Sequence, residues 1–397
     1  MQKRFLNIFL LISTLVIGCQ NINREEGNQI VTFDIKELPK ITDIKLSDLG
    51  FVDIEYIPLE TNENSVISRI NEIKVGNEYF LIKFFNRILM FKTDGSYVTK
   101  IGTEGRGPNE FLVAHYVDID KKTQNIYLVD GWARKFYVYS EKGNFIKTFQ
   151  SPLSTIYFGI TDTGILCYST NYIANIDYSY NLIDTEGRII KKFLNKYHWN
   201  YKVEQGKGTA IFDENIFYWF NDKLFKKEVY SDSVYIFENA DFKPHLVIEQ
   251  GDKLLTTQAR SDFEPLYLFE KYISQKNLFE FGDYVYYEFM YDFKIGGSNI
   301  LRGFIGSKKD NFQVIINSEQ GLTNDLDGGP NIWPKTIKDD NTVISWIDAL
   351  QLKTLVASET FKNSTPKYPE KKKELEKLAN SLKETDNPVL MIVRLKK

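Results

Sequence analysis

The sequence predicts an all-β fold, a six-bladed β-propeller with four-stranded antiparallel blades. Three observations carry that prediction. A segment of nearly constant length repeats, its units are short apolar runs divided by turn residues, and the chain is long enough for six copies. Residues 79–100, YFLIKFFNRILMFKTDGSYVTK, align without a gap onto residues 127–148, YLVDGWARKFYVYSEKGNFIKT. Gly143 thus falls 48 residues after Gly95, and a third copy, LIDTEGRIIKKF, places Gly187 another 44 residues on. A period in the forties built from short strands is the signature of a propeller blade. Roughly 300 residues at about 48 per repeat make six blades, with seven the alternative.

The elements follow in order. Asp94-Gly95, Lys142-Gly143 and Glu186-Gly187 each end a turn between two apolar runs, where glycine supplies the left-handed residue of a hairpin. Within the second repeat, residues 115–120, 125–130, 136–139 and 145–149 read as strands A to D, numbered outward from the channel. VYIFENADFKPHLVI at 234–248 reads as a later strand pair. VYYEFMY, NILRGFIG and FQVIIN, between residues 285 and 317, read as another set. The 24 tyrosines and 29 phenylalanines suit half-buried strand surfaces. One helix is predicted over 370–384, EKKKELEKLANSLKE, with Leu375, Leu378, Ala379 and Leu382 on one face and Pro366 and Pro369 ahead of it. Asn387-Pro388 then breaks the helix, and VLMIVRL at 389–395 reads as a last strand. It is expected to close the ring beside residues 51–57.

The N-terminus carries a different signal. Lys3 and Arg4 precede an apolar stretch too short to span a bilayer as a helix, which fits the core of a signal peptide at residues 1–18. Val16-Ile17-Gly18-Cys19 resembles a bacterial lipobox, which makes Cys19 the lipidation site; an ordinary secretory signal with a chance cysteine is the alternative. Residues 19–40 then read as a lipidated tether and 41–397 as a single propeller domain. With Cys19 lipidated, Cys167 is the other cysteine, in the apolar run GILCYST, and is expected to be a buried structural residue. The net charge of −3 argues against nucleic acid as a partner.

Order and motifs together resemble a family of six-bladed β-propeller lipoproteins of Bacteroidota, distantly like NHL repeats. YIPLET at 56–61, FKTDGSYVTKIGTEGRGPNEF at 91–111, DGGPNIWPK at 327–335 and DNPVLMIVRLKK at 386–397 carry the resemblance. It implies a location at the outer membrane, on the periplasmic or the cell-surface side, and no set of catalytic residues. Glu25 and Glu26 resemble the acidic export signals of surface lipoproteins, and a solvated linker on a periplasmic protein is the alternative reading.

Two loops stand out as candidate sites. In KIGTEGRGPNEF, residues 100–111, glycines surround Arg106. The spacing is neither a Walker loop nor a dinucleotide fingerprint, and Pro108 leads into a strand rather than a helix. The glycines are therefore expected to permit a tight crossover from strand D to the next strand A. That crossover and the B–C loop of the following blade leave the same edge of the sheet, so Arg106, Glu110, Asp130, Trp132 and Arg134 are expected near the channel mouth, the default place for a ligand. The second loop, NDLDGGPNIWPK at 324–335, contributes Trp333 as a further ligand-binding candidate. Its Asp325-x-Asp327-Gly only partly matches a calcium loop. No cofactor is expected, with calcium at this loop the alternative. The three histidines, His115, His198 and His245, fall on separate repeats without ligand spacing, so no metal site is expected. The function this supports is an envelope-anchored module that binds a glycan, peptide or envelope protein. A hydrolase or lyase with its site at the channel mouth is the alternative.

Overall fold

The structure, a computed structural model, describes residues 30–200, 211, 213–294, 301–317 and 320–396. The signal segment 1–18, Cys19 and the Glu25-Glu26 pair lie outside the described residues. From Val31 onward the chain forms one compact unit.

Two strands precede the repeats, β1 (Val31–Asp34) and β2 (Phe51–Pro58). Blade 1 is β3 (Glu72–Val75), β4 (Tyr79–Phe84), β5 (Arg87–Lys92) and β6 (Tyr97–Lys100). Blade 2 is β7 (Tyr116–Ile119), β8 (Ile126–Asp130), β9 (Lys135–Tyr139) and β10 (Phe145–Gln150). Blade 3 is β11 (Tyr157–Thr161), β12 (Gly164–Tyr168), β13 (Tyr178–Ile183) and β14 (Ile189–Leu194). Blade 4 is β15 (Asn215–Phe220), β16 (Lys223–Glu228), β17 (Ser233–Glu238) and β18 (Asp241–Glu249). Blade 5 is β19 (Ser274–Phe281), β20 (Tyr284–Met290), β21 (Leu301–Ser307) and β22 (Gln313–Asn317). Blade 6 is β23 (Thr336–Asp339), β24 (Thr342–Ile347) and β25 (Val389–Leu395), completed by β2 from the other end of the chain. Among the four strands named for each blade every pair is antiparallel. The innermost strands neighbour one another in the order β3, β7, β11, β15, β19, β23 and back to β3, which closes the ring around a channel.

Closure follows the expected pairing. β25 lies between β24 and β2, with Ile54 opposite Val393 and Pro58 opposite Val389. The predicted turn glycines also serve a second purpose. Gly95, Gly143 and Gly187 have φ of 88°, 81° and 82°. A Cβ on Gly95 would lie 2.1 Å from the carbonyl oxygen of Pro58, and one on Gly187 would lie 2.0 Å from that of Gln150. Each turn therefore presses on the outer strand of the preceding blade, so the glycine is required both by its left-handed backbone and by close approach.

The core is a series of apolar layers between blades. Blades 1 and 2 meet through Leu81, Val117 and Tyr137, blades 2 and 3 through Val129, Phe158 and Cys167, and blades 3 and 4 through Leu166, Leu182 and Leu224. Cys167 is fully buried, as its apolar setting predicts, and burial pushes its thiol up to about 12.

Two features differ from the sequence reading. Within the expected tether, Val31–Asp34 forms a strand parallel to β18, so blade 4 has five strands. Phe33 drives this by burying itself against Phe304. The expected helix exists as α5 (Pro369–Ser381), but four shorter ones join it: α1 (Thr257–Asp262), α2 (Pro265–Lys271), α3 (Ala349–Ala357) and α4 (Glu359–Asn363). None of the four is long enough for a 3.6-residue period to show in sequence. The pair α1–α2 lies in the crossover between blades 4 and 5, and α3–α5 fill the connection between β24 and β25. Leu352, Phe361, Leu375 and Ala379 join these last three helices into a small core of their own. No helix among the described residues is long and apolar enough to cross a membrane.

Candidate functional site

The antiparallel order of each blade sends its B–C connection and its D–A crossover out of one edge, here termed the loop face. On blade 2 that face is held by Asp130 at the end of β8. Its carboxylate is fully buried and accepts four backbone N–H groups. Those of Leu112 and Val113 reach Oδ2, and those of Trp132 and Ala133 reach Oδ1. One side chain thus ties the incoming crossover to the outgoing loop. Beside it, His115 Nδ1 accepts the Gly131 N–H at 3.1 Å, and burial lowers the histidine pKa, which keeps the ring neutral.

The glycine-rich crossover folds on itself. Glu110 Oε2 accepts the Gly107 N–H at 2.7 Å and would lie 2.0 Å from a Cβ on Gly105. The Gly105 N–H reaches the Phe111 carbonyl, and the Phe111 N–H reaches that of Thr103. Lys135 and the Tyr137 hydroxyl donate to the carbonyls of Pro108 and Glu110, which lays the crossover along β9. The loop is therefore a turn closed by its own acid.

The six candidate side chains fall into two groups. Glu110 and Asp130 are taken up by backbone N–H groups. Trp333 is half-buried, donates its indole N–H to Glu288 at 3.0 Å and packs edge-on to Tyr286. Arg106, Trp132 and Arg134 face solvent. Trp132 is 73% exposed and meets His115 edge to face, while neither guanidinium has an ion pair among the described residues. In the second loop, Asp325 accepts from the backbone and hydroxyl of Ser47, and Asp327 accepts from Tyr56, Asn324 and Gly329. The two acids are thus committed to different partners. Among the described residues no three His, Cys, Asp or Glu side chains gather as metal ligands. His198 is exposed, and His245 is bound to the buried Glu280 at 2.7 Å.

The structure adds a polar cluster in the channel that the sequence did not reveal. Lys74 on β3 bonds Glu72 at 3.0 Å and donates to the Tyr116 hydroxyl at 2.7 Å. Burial works against the Lys74 charge, but Glu72, Tyr116 and Asp118 outweigh it and raise the ammonium pKa well above the lysine norm. Burial also pushes the Asp118 carboxyl up, with Lys74 opposing. Tyr116 continues edge to face onto Tyr157, and Asp213 pairs with Lys276 at 3.3 Å. On the opposite edge, A–B turns reach one another across the ring. Lys121 of blade 2 pairs with Asp222 of blade 4 at 2.9 Å, and the Asn221 N–H reaches Asp340 of blade 6. The signal of the channel cluster was present as Glu72-x-Lys74 and Tyr116-x-Asp118, alternate positions on two inner strands.

Exposed apolar side chains distinguish the two edges. Val66, Phe85, Leu112, Trp132, Tyr172, Ile173, Phe263, Leu266, Tyr267 and Leu350 all lie on B–C connections or D–A crossovers. Among the described residues no exposed large apolar side chain lies in an A–B or C–D turn, and the remaining ones lie on outer strands, as Val98, Phe145, Ile146, Tyr178, Ile189, Ile190 and Leu194, or ahead of β2, as Ile30 and Ile41.

Comparison with known proteins agrees with this architecture. A candidate exported protein of Bacteroides fragilis superposes with a TM-score of 0.68 at 17% identity, over 93% of this chain and 100% of that one. A member of the DUF4221 family from Bacteroides vulgatus superposes with a TM-score of 0.53 at 10% identity, over 87% and 97%. These likenesses establish the fold. No curated protein matches the sequence. Residues 30–394 match a domain of unknown function, DUF4934, and the chain belongs to that family.

Proposed function

We propose that this chain is an outer-membrane lipoprotein whose loop face binds an extended peptide or a protein. The observation that carries the reading is that exposed apolar side chains stand on the loop face and not in the A–B or C–D turns of the opposite edge. The exposed Trp132 is the type of side chain that dominates binding energy at interfaces. Arg106 and Arg134, exposed on the same face and without an ion pair among the described residues, suit a carboxylate through their planar forks. The partner is therefore a segment with apolar side chains and an acid. The hydrolase or lyase reading would draw on the channel carboxylates, yet Glu72 and Asp213 are each bound to a lysine.

The loop-face reading is tested with a photoreactive phenylalanine placed at Leu112 in whole cells. Adding Arg106→Ala and Trp132→Ala is expected to lower the yield of its adduct at least tenfold while the melting temperature stays unchanged. An undiminished adduct refutes the reading.

The anchor rests on the lipobox around Cys19 and on the exported neighbour. Cys19→Ala is expected to move the protein from the membrane to the soluble fraction of lysed cells. Continued membrane attachment would contradict lipidation there.

A further inference from the structure

Away from the channel, a cleft of about 390 Å³ lies between α5 and β2. The helix presents Lys371, Glu374, Leu375 and Leu378 to it, a spacing of three and four residues that sets one face of a helix. The strand presents the run from Asp53 to Tyr56, and Asp327 comes from the loop that enters blade 6. A volume in this range accommodates small ligands.

Its charges do not balance. Both cations are committed to the strand. Lys371 pairs with Asp53 and donates to the Ile54 carbonyl at 2.8 Å, while Arg394 reaches Asp53 at 2.8 Å and also Glu55. Glu374 and Asp327 have no ion pair among the described residues. Asp327 is fully buried. Its Oδ1 accepts from the Tyr56 hydroxyl at 3.2 Å, Asn324 Nδ2 at 2.6 Å and the Gly329 N–H at 2.9 Å. Its Oδ2 is buried and accepts from no donor among the described residues. A buried acceptor left without a donor is costly, and such groups in native proteins call for an explanation.

We propose that the α5–β2 cleft binds the primary ammonium group of a small amphiphilic ligand, with Asp327 Oδ2 as its acceptor. The ammonium supplies the missing donor and the missing positive charge, and Glu374 adds a second carboxylate. The carbon chain of the ligand lies along Leu375, Leu378 and Ile54, which form the apolar wall. The cleft lies on the blade 6 part of the loop face, formed by the B–C helix α5 and the incoming crossover, and shares no residue with the Arg106 and Trp132 site of blade 2.

The probe is pentylamine, titrated by NMR into the full chain with pentan-1-ol and pentanoate as isosteric controls. Pentylamine is expected to shift resonances of α5 and to bind at least tenfold more tightly than either control. Asp327→Asn keeps an acceptor for the three donors at Oδ1 and is expected to weaken pentylamine binding at least tenfold. Leu378→Trp, which fills the cleft without touching Asp327, is expected to abolish binding and covers the case in which the first variant fails to fold. Arg106→Ala with Trp132→Ala is expected to leave pentylamine binding unchanged. Absence of pentylamine binding, equal binding of the alcohol, or indifference to both cleft variants would overturn the proposal.

Discussion

Truncation after Asn387 is expected to leave a chain without a cooperative fold. The removed strand β25 is the middle of blade 6, bonded to β24 on one side and to β2 on the other. Val389, Leu390, Met391, Ile392 and Val393 are all 2% exposed or less. At about 1.5–3 kcal/mol for each buried side chain, their loss approaches the 5–15 kcal/mol that stabilises an ordinary domain. Truncation also frees β2, which holds the N-terminal side of the ring closed. A sigmoidal melt followed by circular dichroism at the wild-type midpoint would contradict the closure described above. A truncation after Val393 is the control. It keeps the five buried residues and is expected to melt cooperatively at a lower temperature.

The second large effect is expected at the buried pair of Glu214 and Arg260. Both side chains are inaccessible to solvent. Arg260, on α1, bonds Glu214, Tyr230 and the Asn171 carbonyl, and it stacks on Trp199 at 4.3 Å. Glu214 Oε2 in turn accepts from the Tyr168 hydroxyl and the Asn171 N–H. The pair therefore pins the α1–α2 crossover to blades 3 and 4. Removing either partner breaks this buried ion pair, at a cost of about 3–5 kcal/mol. Glu214→Leu and Arg260→Met are each expected to lower the stability by that amount in urea melts. The double variant is expected to lose less than the sum, because no charge is left unpaired. Additive losses would show that the two charges do not act as a pair.

The parts of the fold that read clearly in sequence share one property, which is that a local rule sufficed. The hairpin glycines at 95, 143 and 187 needed a left-handed backbone, and the alternation of FIKTFQ needed a half-covered sheet. The closing strand VLMIVRL was marked by its apolar run and by the break at Asn387-Pro388. Other features depend on contacts across the ring. An inner strand such as EIKV offers only two side chains to the channel, so Glu72 and Lys74 look like any exposed pair until Tyr116 and Asp118 of the next blade are set against them. Asp130 illustrates the same limit. Its place at the end of an apolar strand suggested a ligand group, whereas its four N–H donors, Leu112, Val113, Trp132 and Ala133, come from two separate loops of the chain. The role of Glu110 was hidden for a related reason, since a carboxylate that closes its own glycine turn has the same sequence signature as one that waits for a ligand.

The central claim is that the loop face, not the A–B turn face, meets the partner. Photoreactive phenylalanine placed singly at Trp132, Phe85 and Ile173, and at Lys122 and Asp162 in A–B turns, tests it in living cells. All five positions are exposed, so insertion is not expected to disturb the ring. Binding through the loop face predicts one shared adduct from Trp132, Phe85 and Ile173 and none from Lys122 or Asp162. The same adduct from the A–B turn positions, or none from the loop-face positions, would contradict it.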